Sequence, residues 1–132
     1  MGLIDKAAIL AAQDIKTEDI AMPEWSDNVN NCVRVRELSA ADILGFWDAC
    51  RDAEGELVRE RVQPALLMRA IVGADDTALF TEADIGALMA KSATAIGRLF
   101  VAAKRLNGIG QEETTAKNSD AALSGALPSA SA

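Results

Sequence analysis

The spacing of apolar positions changes along this chain, and each change marks an element. Leu3, Ile4, Ala7, Ile9 and Leu10 crowd an N-terminal segment of helix formers, which predicts a modest helix from about residue 3 to residue 12. After Ile15 the spacing moves towards alternation: Ile20 and Met22 alternate with Asp19 and Ala21, until Pro23 restricts how central a strand here can be. The polar cluster 26–31 follows, and then Cys32 to Leu38 alternates, valines on one face and Arg34 and Arg36 on the other. Together these segments predict a β-hairpin over 18–38 with the Asn-rich stretch as its loop.

From Ser39 the period becomes helical. Ser39 supplies an N-cap hydroxyl, and Asp42 places an acid in the first turn, where it offsets the positive end of the helix dipole. Ile43, Phe46, Trp47 and Cys50 form one stripe, with Asp42, Asp48, Arg51 and Asp52 opposite. Glu54-Gly55 weakens or ends this helix. A second helix is predicted over 64–72, apolar almost all round and therefore central, with residues 56–63 either its kinked extension or a separate turn. Residues 73–77 read as a loop, Thr81 and Asp84 as a helix start, and Ile85, Leu88 and Met89 as the buried side of a short helix. Ser92 caps a last helix whose stripe is Ile96, Leu99, Phe100, Ala103 and Leu106, ended by Asn107-Gly108. The fold class is thus mainly α with a small β-hairpin (α+β), four to five helices in one domain over 1–109. Residues 110–132 form an Ala/Ser-rich tail with few apolar anchors, which predicts flexibility.

Composition removes several functional classes. Thirteen Lys and Arg against twenty Asp and Glu leave the 132-residue chain at −7, which disfavours general binding to nucleic acid or anionic membranes. No window approaches the roughly twenty apolar residues of a spanning helix. Histidine is absent, and with it the commonest general base and every His-containing zinc site. Cys32 and Cys50 are too few for a disulfide framework, and no basic start precedes a long apolar core, so a reducing cytoplasmic setting is expected. The acids at 75, 76, 82 and 84 lack the alternating ligands, central Gly and terminal Glu of a calcium loop, and helix capping accounts for them. Asp48 and Asp52 read as a solvated helix face rather than an acid/base pair. Neither catalytic residues nor a cofactor or metal site is expected.

The residues left for binding are few. Arg34 and Arg36 share a strand face, where they either clamp an acidic partner or guard a sheet edge. Trp25 beside the polar loop either packs over the hairpin or anchors an interface, while Trp47 reads as core. Residues 81–106 place two short helices as a helix-turn-helix DNA-binding regulator would, and 81–108 carries Lys91, Arg98, Lys104 and Arg105 against Glu82 and Asp84. The second helix, however, opens Ser92-Ala93-Thr94-Ala95, which offers base edges little.

The order Pro23-Glu24-Trp25, then Val33 to Ser39 (VRVRELS), then Leu79 to Ile85 (LFTEADI), Leu88, Lys91-Ser92-Ala93 and Leu106-Asn107-Gly108 resembles tail assembly chaperones of long-tailed, non-contractile (siphovirus-type) phages and related prophages. The resemblance spans residues 5–110. It implies a non-enzymatic protein of the host cytoplasm, absent from the mature virion, that binds the tape measure protein, keeps it soluble and helps recruit major tail tube subunits. Self-association and a frameshifted longer form belong to the same expectation. Trp25, Arg34, Arg36, Arg98, Lys104 and Arg105 are the expected protein-binding residues. The hairpin and the helix over 92–106 are expected to supply protomer contacts or a groove for tape measure helices.

Overall fold

The computed structural model describes residues 2–28 and 30–110. The alternating segments pair as expected: β1 (Thr17–Ala21) runs antiparallel to β2 (Cys32–Arg36), with Thr17 opposite Arg36 and Ile20 opposite Val33. Their connection is held by short-range polar bonds. Ser26 Oγ accepts from Asn28 N and Asn31 Nδ2, and Asn28 Oδ1 accepts from Asn30 N. A 3-10 turn at Pro23–Trp25 seats Trp25 half-buried against the core.

The sheet has a third strand that the apolar run 64–72 concealed. The helix there ends at Ala70, and Ile71–Val72 forms β3, antiparallel to β2 with Val35 opposite Ile71 and Arg34 opposite Val72. Both residues are β-branched, which favours extended backbone. A tight return stabilises them further: Gly73 N donates to Thr77 O, and Leu79 N donates to Ile71 O at 3.0 Å. In the order β1-β2-β3 the strand bearing Arg34 and Arg36 is central, so edge protection is not their role.

Five α-helices accompany this sheet among the described residues. The first, α1 (Lys6–Ala11), is shorter than expected and begins where Asp5 accepts from Ala8 N. It buries no residue, and Leu3, Ile4, Ile9 and Leu10 stand in solvent. Ser39 caps α2 (Ala40–Ala49) through a bond from Asp42 N. Beyond it the chain turns at Gly55, whose φ of +82° suits glycine, while Asp52 Oδ1 accepts from Glu54 N and Glu56 N. A separate 3-10 turn (Arg59–Arg61) then feeds α3 (Val62–Ala70). Pro64 causes no kink, because as the third helical residue its missing N–H has no intrahelical partner to lose. Thr81 and Asp84 form the expected capping box before α4 (Ile85–Met89), and Ser92 caps α5 (Ala93–Asn107).

Helix α3 is central, with Ala65, Leu66, Leu67 and Ala70 buried between α2 and α5. Small residues on α5, namely Ala95, Ala102 and Ala103, let it lie close to α3, β1 and β2. Phe46, Leu66, Leu67, Ile71 and Leu99 are fully buried, and each such side chain stabilises the fold by about 1.5–3 kcal/mol relative to an exposed one. The tail expected at 110–132 lies, from residue 111, outside the described residues.

Candidate functional site

The outer sheet face presents basic residues, but the fold itself uses them. Arg34 donates from Nε and Nη2 to the two Asp19 carboxylate oxygens, at 2.8 and 3.3 Å, and from Nη1 to Asp76 at 3.1 Å. Arg36 bonds the Arg69 carbonyl at 3.1 Å and Asp42 at 3.5 Å, tying β2 to the end of α3 and the start of α2. On α5, Arg98 makes a two-pronged pair with Glu24 at 2.9 and 2.6 Å and touches the sulfur of buried Met22. Arg105 pairs with Glu18. The four arginines expected to meet a partner are thus occupied within the domain, and they fasten β1, the Pro23–Trp25 turn and α5 together.

These pairs set the acid response. The Arg98 hydrogen bonds hold Glu24 down to about 2 from its ordinary 4.5, and the Arg34 hydrogen bond lowers Asp19 as well. A depressed carboxyl contributes stability above its unfolded value and loses it as pH falls through the folded one. Thermal stability is therefore expected to decline as pH drops from about 4.5 towards about 2. Melting curves of Glu24→Gln across that window check the assignment, because the variant should lose part of the slope; an unchanged slope would count against the pair.

The same geometry disfavours DNA recognition by 81–106. Helix α4 has only five residues, α5 is a packing helix with Ala95, Ile96, Leu99, Ala102 and Ala103 buried, and Arg98 and Arg105 are already neutralised. Few cations remain for phosphate contacts.

A different surface gathers half-buried apolar side chains around an open space. Between α2, the segment 57–63 and the C-terminal end of α5 lies an open groove of about 1020 Å³. Its apolar lining is Ile43 and Trp47 from α2, Leu57 and Val62 from the next segment, and Phe100 and Ile109. Adjacent positions on a helix point about 100° apart, so Phe46 enters the core while Trp47, half-buried, turns to the groove. The two rings remain in tilted contact, centroids 4.7 Å apart. Leu99 and Phe100 divide in the same way on α5. Lys104, one turn on, places its ammonium 4.7 Å from the centre of the Phe100 ring.

Of the six expected binding residues, only Lys104 lines this groove. The stripe places Trp47 in the core, and it does pack half-buried against it, but its adjacency to Phe46 is the signal that its ring also turns to the groove. Arg59, Leu57 and Val62 carried no local signal, since their meeting with α5 is made by the fold. Asn107, read as part of a helix end, reaches further: its Oδ1 accepts from Leu38 N at 2.7 Å, and its Nδ2 donates to Ala103 O at 2.9 Å and Arg36 O at 3.4 Å. It fixes one end of the groove to the sheet. Gly108, at φ +67°, supplies the left-handed cap itself.

Chemically the groove offers burial rather than reactivity. Cys50 is the buried thiol, and burial pushes it above its ordinary range. Among the described residues no three His, Cys, Asp or Glu side chains converge to hold a metal, and no helix is long and apolar enough to cross a membrane.

Among solved structures the chain is similar to the tail assembly chaperone of bacteriophage HK97, at 18% identity and a TM-score of 0.48, covering 70% of this chain and 85% of that one. No curated protein sequence matches it. A family model described as phage tail assembly chaperone matches residues 4–118, most of the length, and the chain therefore belongs to the phage tail assembly chaperone family.

Proposed function

We propose that this chaperone receives apolar helical segments of a tape measure protein in the groove beside Trp47 and Phe100. By covering them it keeps that long protein soluble until tail tube subunits, which it helps recruit, assemble around it. The protein acts without catalysis, in the host cytoplasm during assembly of a long non-contractile tail, and does not remain in the virion. The observation that carries this reading is the groove: six apolar side chains line a channel of about 1020 Å³ that nothing else in the described chain fills. That volume lies just above the range of small-molecule sites, about 300–1,000 Å³, and the open form suits one face of a helix. Family membership supports the same role.

Co-expression with its cognate tape measure protein tests the proposal. The wild-type chain should raise the soluble yield of that protein and be captured with it. Trp47→Ala combined with Phe100→Ala should reduce capture at least about tenfold, since about 1.4 kcal/mol of lost contact is a tenfold change and two half-buried aromatics provide more. No capture and no gain in solubility with the wild-type chain would refute the reading.

A further inference from the structure

The chain is acidic at −7, yet the groove carries only positive charge. Arg59 and Lys104 line it from different walls, on the segment after α2 and on α5, and no Asp or Glu is among its lining residues. Elsewhere four arginines meet carboxylates, Arg34 with Asp19 and Asp76, Arg36 with Asp42, Arg98 with Glu24 and Arg105 with Glu18, while Arg51, Arg61 and Arg69 donate to backbone carbonyls. Among the described residues neither Arg59 nor Lys104 has a carboxylate at ion-pairing distance. Lys104 rests on the Phe100 ring, and Arg59 stands in solvent. Two cations without a carboxylate partner thus stand beside an apolar groove that has no acid among its lining residues.

We infer that the groove is selective for amphipathic helices whose apolar stripe is flanked by Asp or Glu, with carboxylates meeting Arg59 on one wall and Lys104 on another. This rests on the reading of the groove as a helix-binding site and adds the chemistry of the helix. Charge-assisted bonds from a guanidinium or ammonium to a carboxylate are about twice as strong as neutral ones, and they strengthen as the occupant displaces water from the rim. A helix flanked by Lys would instead bring like charges together there. The rim cations also offset the repulsion that a net charge of −7 imposes on any acidic partner, so they favour encounter as well as fit.

Three synthetic peptides of about 18 residues, long enough for some helicity, test this. They share one apolar stripe and differ only in flanking residues, which are Glu, Gln or Lys. Binding to the full-length protein is followed by anisotropy of a label on the peptide, at low and at physiological salt. The Glu peptide should bind about tenfold more tightly than the Gln peptide, the Lys peptide most weakly, and the spread should narrow with salt. In the protein carrying Arg59→Glu and Lys104→Glu the order should invert. Arg59→Gln with Lys104→Gln should abolish the preference while keeping the wild-type circular dichroism, which separates lost recognition from lost fold.

Equal affinity for all three peptides, or an order unchanged by the charge swap, would overturn the inference. If the tape measure protein is captured while the peptides show no charge preference, only this inference falls. If the preference holds but that protein is not captured, the chemistry stands and the proposed client is wrong. Concentration-dependent sedimentation that disappears on the charge swap would give the groove to an acidic apolar segment of a second copy, and so overturn a foreign occupant.

Discussion

Phe46→Ala is expected to destabilise the domain by about 3–5 kcal/mol, shifting the urea midpoint down by about 2 M. Phe46 is fully buried, and the void left by its ring would be walled by α2, α3 and their neighbours, which cannot collapse without moving the helices. Small single domains hold only about 5–15 kcal/mol in total, so a loss of this size leaves a sizeable unfolded fraction under mild heating. The substitution bears on the site as well as on the core. Phe46 supports the Trp47 ring from behind, and without it the α2 wall of the groove loses its definition. Phe46→Leu, which keeps most of the volume, should cost less than about 1.5 kcal/mol and spare binding. Urea unfolding of the two variants separates them; equal midpoints would show that the ring does not pack as described.

Asn107→Ala is expected to remove about 1–3 kcal/mol, chiefly because the Leu38 N–H loses its acceptor beside a buried side chain. Asn107→Asp should not rescue it. A carboxylate can still accept from Leu38 N, but it cannot donate to the Ala103 and Arg36 carbonyls, and it puts a negative charge at the negative end of α5. Thermal melts and amide exchange at Leu38 test this: both variants should melt about 4–8 °C lower per kcal/mol lost, with faster exchange at that amide. A stable Asp variant would mean that the acceptor bond alone matters.

Asn107 also illustrates how far sequence reasoning reached. Its position at a helix end followed from Gly108 and the preceding stripe, because both are local. Its grip on Leu38 and Arg36 arises from residues about seventy positions away, and no local preference encodes it. The same divide runs through the fold. The hairpin, the Ser39 and Ser92 caps and the Thr81–Asp84 box were readable, since alternation and capping are short-range. Ile71–Val72 was absorbed into a helix because an apolar run has no period to separate its last two residues, and only pairing with β2 makes them a strand. Arg98 and Arg105 looked available for the reason that Glu18 and Glu24 lie more than seventy residues earlier. The groove was the least legible part, for it exists only where three separate segments meet.

The most direct measurement is an amide chemical-shift map of the full-length protein, titrated with a soluble helical segment of the tape measure protein. Perturbations should concentrate at Ile43, Trp47, Leu57, Val62, Phe100 and Ile109, and the Arg34 face of the sheet should stay unchanged. Shifts confined to that sheet face, or saturable binding that leaves the groove residues unmoved, would contradict the claim that this groove is where the chaperone holds its client.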